Sequence, residues 1–223
     1  MLMSPDKMIC GKEGAGNNFA KGYYTEGSEV IMEVMDAVRK EAERADCLHG
    51  FQISHSIGGG TGSGLGSLII SRLKEEYPYN LVMTFSVFPA SEVSDCVVEP
   101  YNAGFALSNL VENSDATVIL DNLALLDICK RRLKVKMPKY KDLNGLVASA
   151  MSDSTCSFRF RGDLNSDIRK MCINLVPFPR LHFFLASLAP LGSRKAKKST
   201  KLTTGDITAQ MMDFNNLLCS GSQ

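Results

Sequence analysis

Residues 58–64 read Gly-Gly-Gly-Thr-Gly-Ser-Gly, set between an apolar run ending at Ile57 and a helical periodicity opening near Ser63. Several peptide N–H groups turned toward one anion need positive φ angles and no Cβ in the way, which is what clustered glycines supply. Thr61 and Ser63 add hydroxyls, and the first turn of the following helix adds unpaired N–H groups and the positive end of its dipole. The chemistry this pattern suits is phosphate binding, and the expected ligand is a nucleotide. The competing reading is a plain flexible loop, the commoner use of Gly/Ser/Thr runs. No Gly-Lys-Ser/Thr triplet follows, and the G-x-G-x-x-G fingerprint is not in its usual place near a chain start. Backbone, hydroxyls and a divalent metal must therefore balance the phosphate charge.

A second small-residue segment, Gly14, Ala15, Gly16, Asn17 and Asn18, suits close backbone approach to the same ligand. The elements that would position both segments follow from periodicity. Val30, Ile31, Val34, Met35, Val38 and Ala42 recur at helical steps, predicting an amphipathic helix over 28–44. Short apolar runs at 50–54, 81–88 and 116–120 read as strands, and 63–77 and 101–111 as the helices between them. Strands too apolar to have one wet face, alternating with helices, predict an α/β fold with a parallel sheet flanked by helices. In such a sheet ligands sit beyond the carboxyl ends of the strands, where the loops 58–64, 89–99 and 121–122 would converge.

Further on, Leu143, Leu146, Val147, Ala150 and Met151 predict a buried helix over 140–157, softened by Gly145. A helix over 165–175 should stop before Pro177 and Pro179, with a strand at 181–185 and a closing helix over 206–218. The basic, Ser/Thr-rich stretch 192–204 reads as an exposed loop. The predicted division is a partial nucleotide-binding domain at 1–121, a linking segment and core helix at 122–160, and the start of an α+β domain at 161–223.

With 44% hydrophobic residues in 223, the chain can bury a substantial core. No apolar window approaches the roughly 18 to 20 residues of a membrane helix, and the first ten residues lack a signal pattern. A cytoplasmic protein with no membrane partner is expected. The seven cysteines are odd in number and scattered, which argues against a disulfide frame or a zinc site. The lysine and arginine clusters at 130–141 and 194–201 read as solvated faces, and no nucleic-acid partner is expected. His55 is the one candidate base beside the glycine segment, and it reads as structural.

Taken in chain order, the segment 14–18, the glycine segment 58–64, Val93-Ser94-Asp95, the run Val97-Val98-Glu99-Pro100-Tyr101-Asn102, Asp121-Asn122 and the run from Val176 to Phe183 (Val-Pro-Phe-Pro-Arg-Leu-His-Phe) resemble tubulin. The resemblance is continuous over about 4–218, and Arg169-Lys170 with the Pro-Phe-Pro-Arg run makes it closest to the β-type. It implies a GTPase-type domain that binds GTP or GDP with Mg2+, joined through a core helix to an intermediate domain. It also implies head-to-tail assembly with an α-tubulin-like subunit in a cytoskeletal microtubule lattice.

By that resemblance Ala15, Gly16, Asn17, Ser56, Gly59, Gly60, Thr61 and Gly62 line the phosphates, and Asp95 and Glu99 lie near the ribose. Asn122, Tyr140 and Asn144 address the base, two amides pairing with the purine edge and the ring stacking on it. Read without the resemblance, Asn122 caps the helix after Asp121, Asn144 is an ordinary helix position and Tyr140 belongs to the core. Hydrolysis in tubulins is completed in trans, with no catalytic residue assigned here. Asn165, Asp167 and Lys170 fall at inter-subunit contacts, and Lys170 stands where hydrolysis-promoting subunits carry an acid.

The chain departs from the pattern in several places. The first strand with its phosphate loop, the acidic segment that helps hold magnesium, and the C-terminal helices have no counterpart in this sequence. A sheet without its first strand is expected to fold poorly alone. Phe19 stands for the usual Trp, Gly145 for His, and Asp163 for a polar neutral residue, while the lateral-contact loop at 192–204 is lysine-rich. The alternative to a polymer subunit is a truncated tubulin-like interaction protein that has lost nucleotide binding and polymerisation.

Overall fold

The structure is a computed structural model and describes residues 4–90, 94, 96–160, 162, 167–191 and 202–220. At its centre is a four-stranded sheet in the order β1 (Gly50–Ser56), β2 (Leu81–Phe88), β3 (Ala116–Asp121) and β4 (Phe183–Leu185), with every neighbouring pair parallel. The α/β expectation holds. All carboxyl ends lie on one edge, which brings the residues after Ser56, Phe88 and Asp121 to one rim. β1 is an edge strand of this sheet. The segment after 161, expected to open another domain, contributes β4 beside β3.

Alternation along the strands divides two cores, one on each face. Val82 packs with Ile31, Met35, Leu68, Ile70, Leu73, Ala106 and Leu110 beneath α1 (Glu26–Arg44), α2 (Gly66–Glu76) and α3 (Glu99–Asn113). Met83 and Phe85 point the other way, joining Val118, Leu120, Leu125, Ile128, Leu143 and Leu146 beneath α4 (Asn122–Arg131) and α5 (Tyr140–Ser154). A short α6 (Cys156–Arg159) follows α5, and α7 (Ile168–Leu175) stops two residues before Pro177. That stop is where proline disfavours helix in the residue before it.

The predicted closing helix over 206–218 is not continuous. α8 (Thr204–Met211), capped by the Thr203 hydroxyl, ends there; Asp213 caps a single 3-10 turn, Phe214–Asn216. Leu218, with no exposed surface, then inserts along the sheet. Its N–H donates to the Ala186 carbonyl, and its own carbonyl accepts the Asp121 N–H. Burying that leucine among the strands requires the chain to leave the helix.

Candidate functional site

Two helices meet at the rim. One begins at Phe19 and passes through a π-helical turn, Lys21–Thr25, into α1; the other begins at Gly60 and passes through a π-helical turn, Thr61–Leu65, into α2. The turns pack backbone against backbone. A Cβ on Gly22 would overlap the Gly60 carbonyl oxygen, and one on Gly64 would sit 2.5 Å from the Phe19 carbonyl oxygen. A Cβ on Gly62 would overlap the Ser56 carbonyl oxygen, fixing the helix start against the end of β1.

The expected reason for the glycines is therefore corrected. Within 58–64 no residue has positive φ; the left-handed pair at the rim is Gly16 and Asn17, at φ of 55° and 54°. Gly60, Gly62 and Gly64 are needed because main chains touch there, and from Gly60 onward the helical geometry holds φ negative. Ser63 is corrected as well. It is fully buried, and its hydroxyl donates back to the Gly59 carbonyl, so it is not available to an anion, whereas Thr61 is exposed.

Asn102, on α3, joins the segments. Its Oδ1 accepts the Phe19 N–H at 3.0 Å, while its Nδ2 donates to the Asn17 carbonyl at 2.8 Å and the Gly58 carbonyl at 2.9 Å. At 4% exposed this amide is fully used. Sequence reading passed over it; the one available signal was an amide among the apolar positions of a helix. Ala15 is buried against Gly60, and Gly59 faces Asn17. The Glu99 carboxylate lies over Gly58, whose Cβ position is 3.2 to 3.4 Å from its side-chain atoms. Ser56 ends β1 beside Gly62. A Cβ on Gly16 would meet nothing within 4 Å and one on Gly59 only the Asn17 Oδ1. The first N–H groups of the helix starting at Gly60 have no carbonyl one turn back inside that helix, though the Ser63 N–H donates to the Gly59 carbonyl just before it.

Asn122 and Tyr140 line a separate cleft of about 480 Å³, with Leu126, Pro138, Lys139, Lys141 and Leu143; none of its lining residues comes from the glycine segments. Asp121, not Asn122, caps α4, its Oδ1 accepting the Leu123 N–H at 2.9 Å. Tyr140 is 69% exposed and so is not core. Asn144 lies one turn along α5 from Tyr140 and is exposed. Asp167 stands at the N-terminus of α7, with its carboxylate 3.8 Å from His49, and Lys170 is exposed on that helix. Asp95, Asn165 and most of the lysine-rich stretch 192–204 lie outside the described residues.

His55 is a strut. Nδ1 donates to the Gly62 carbonyl at 2.8 Å, and Nε2 meets the Ser86 hydroxyl at 2.9 Å. Burial pushes its imidazole below the ordinary value, and the Gly62 carbonyl opposes that shift only in part. The unfolded chain takes up this proton near pH 6.5 and the folded chain only below it. Stability from this group is therefore complete above about pH 6.5 and is lost as pH falls toward the folded value. Urea midpoints should drop between about pH 7.5 and 5.5, and this dependence should shrink in His55→Gln. An unchanged slope in the variant would assign the titration elsewhere.

A parallel sheet with glycine segments converging at its carboxyl edge defines an α/β nucleotide-binding type of domain. The Tubulin/FtsZ family GTPase domain model matches residues 2–130, and the tubulin C-terminal domain model matches residues 179–223. The chain belongs to the tubulin family. It is 56% identical to the tubulin beta-6 chain of Gossypium hirsutum, 55% to the tubulin beta chain of Cicer arietinum and 56% to the tubulin beta-4 chain of Zea mays, in each case over 98% of this chain and 49% of the relative. The chain thus spans about half the length of the curated relatives it matches.

Proposed function

We propose that this chain is a GTP-binding, tubulin-like constituent of the microtubule cytoskeleton, assembling longitudinally with an α-tubulin-like subunit and laterally with its neighbours in the cytoplasm. The observation that carries this reading is the Asn102 clamp, which holds two glycine segments together at the carboxyl edge of the sheet. The space above Gly16 and Gly59 fits a phosphate group: a Cβ on Gly16 would meet nothing within 4 Å, and one on Gly59 would meet only the Asn17 Oδ1, at 4.0 Å.

Ala15, Gly16, Asn17, Ser56, Gly59, Gly60, Thr61 and Gly62 would hold the phosphates, and Asp95 and Glu99 the ribose. Asn122 and Asn144 would pair with the guanine edge, and Tyr140 would stack on it. Mg2+ would reach the site largely on phosphate oxygens and water, which suits its octahedral, reluctantly dehydrated chemistry. Among the described residues no group of three or more His, Cys, Asp or Glu side chains is placed to hold a metal ion, and no helix is long and apolar enough to cross a membrane.

Asp167, Asn165 and Lys170 would face the neighbouring subunit's nucleotide. A lysine ammonium donates hydrogen bonds and neutralises phosphate charge but cannot accept a proton from an attacking water. Hydrolysis of this chain's own GTP would then depend on a partner that offers an acid. A fluorescent GTP analogue should bind the purified chain and be displaced by GTP but not ATP. Stacking worth about 1 to 3 kcal/mol predicts weaker binding by about fivefold to 150-fold in Tyr140→Ala. A folded sample that takes up no analogue would overturn the reading and favour the interaction protein without nucleotide. GTP turnover by the chain polymerised alone, abolished by Lys170→Ala, would overturn the role given to Lys170.

A further inference from the structure

On the sheet face beneath α1, α2 and α3, where alternation calls for apolar residues, the strands carry a row of polar ones. His55 is in register with Ser86 on β2, and Thr84 with Thr117 on β3. Thr84, Ser86, Thr117 and His182 have no exposed surface, and Ser114 is 7% exposed. Buried polar groups in a core persist only when they are paired. Here they pair in a line. His55 Nε2 lies 2.9 Å from the Ser86 hydroxyl, which is 3.3 Å from that of Thr84; Thr84 is 2.9 Å from Thr117. Thr117 is in turn 2.9 Å from Ser114, and Ser114 is 2.9 Å from His182 Nε2. The ends are anchored on main chain, His55 Nδ1 on the Gly62 carbonyl and His182 Nδ1 on the Pro179 carbonyl, both at 2.8 Å.

The Gly62 carbonyl demands an N–H at His55 Nδ1, so in the neutral ring its Nε2 must accept. His182 faces a carbonyl at each nitrogen, Pro179 at Nδ1 and Leu110 at Nε2, and a neutral ring can donate to only one of them. Each hydroxyl has one hydrogen to give. The line from Gly62 to Pro179 then has one hydrogen fewer than it has links, and one link must go without. The Leu110 carbonyl, 2.7 Å from the Ser114 hydroxyl and 3.1 Å from His182 Nε2, competes for the same hydrogens. Which way any hydroxyl points is therefore decided by its neighbours, and the direction at one end depends on the other.

We propose that this buried line is a relay. It ties the glycine segment at Gly62 to the Pro179–His182 turn that follows α7, so that Ser86, Thr84, Thr117, Ser114 and His182 act as positioning residues for the phosphate segment without touching it. The relay itself is independent of ligand; its use in transmitting nucleotide occupancy rests on the proposed function.

The test uses the full chain labelled with 15N-histidine, whose third imidazole, His49, lies outside the line and is an internal control. Thr84→Val removes the central hydroxyl and keeps the shape; Thr84→Ser keeps the hydroxyl. The relay predicts that Thr84→Val moves the ring resonances of both His55 and His182, leaves His49 in place, and is reversed in Thr84→Ser. A change confined to one ring, or equal in the two variants, overturns it. Should Thr84→Val not fold, Ser114→Ala is read at His55 by the same criterion. Added GTP should shift His182 in the unmodified chain and lose that effect in Thr84→Val. GTP that binds and shifts His182 equally in both overturns the transmission. GTP that fails to bind at all overturns the nucleotide reading, while the histidine comparison still decides the relay.

Discussion

Gly62→Ala is expected to cost this chain about 2 kcal/mol or more of stability, while Gly59→Ala, three residues away in the same run, should leave stability nearly unchanged. The difference comes from what an added Cβ meets. At Gly62 it would overlap the carbonyl oxygen of Ser56, which is main chain at the end of β1 and cannot rotate away. At Gly59 the nearest atom is the Asn17 Oδ1, 4.0 Å distant. Alanine in place of glycine in a helical turn gains about 1 kcal/mol of propensity. That gain is smaller than the cost of overpacking against a backbone, about 3 kcal/mol or more where nothing can yield. For a domain stable by roughly 5 to 15 kcal/mol the net loss is large. Urea midpoints measure it. Binding should separate the two positions in the opposite sense: Gly59→Ala stays folded but weakens the GTP analogue, because its Cβ occupies the space proposed for phosphate. Equal midpoints for the two variants would remove the close-packing account of this glycine run.

Asn102→Ala should cost about 3 to 5 kcal/mol and abolish analogue binding. It strands the Phe19 N–H and the carbonyls of Asn17 and Gly58 together, each an exposed or buried group losing its one partner from this side chain. Nothing else ties residues 17–19 to Gly58 through a side chain among the described residues. Asn102→Asp is the sharper comparison. It keeps the size and the acceptor for Phe19, but turns the donor toward two carbonyls into an oxygen, so it should be at least as damaging as alanine. If Asn102→Asp folded as well as the unmodified chain and bound the analogue, the clamp would be immaterial. Hydrogen exchange at the Phe19 amide should rise in Asn102→Ala, since it loses its hold on α3.

Much of this arrangement was legible before any coordinates. The runs at 81–88 and 116–120 announced strands because parallel strands buried on both faces are short and continuously apolar, and each strand lies where its run predicted. The strand at 50–54 is also in place, but as an edge strand it has a wet face at Gln52, Ser54 and Ser56, against the expectation of strands too apolar for one. β1 extends two residues further, to Ser56, because His55 and Ser56 look polar in sequence and pair only once β2 is beside them. The helix over 28–44 was visible in its spacing. Its earlier start, through a π-helical turn packed on the helix that begins at Gly60, was not, because that geometry exists only when two main chains meet.

The long-range polar contacts were the hardest to foresee. Asn102 contacts residues 83 and 85 positions before it, and Thr84 meets Thr117 33 positions later. No periodicity encodes such pairs. The positive φ expected within 58–64 failed for a related reason: glycine is required both for left-handed backbone and for close approach, and composition does not distinguish them. Likewise the helix expected through 218 breaks at Asp213, since Leu218 gains more by inserting among the strands than by extending a turn.

By itself, then, the order of residues determined the family, the alternation of strand and helix, and the identity of the segments that gather at the rim, because apolar period and glycine content are local properties of a chain. Tertiary structure alone decided which glycines are held by contact, which amide joins the two segments, and which hydroxyls cross the sheet in a line. Those depend on atoms brought to within about 3 Å from distant parts of the chain, and hydrogen bonds fall off too steeply with distance for spacing in sequence to reveal them.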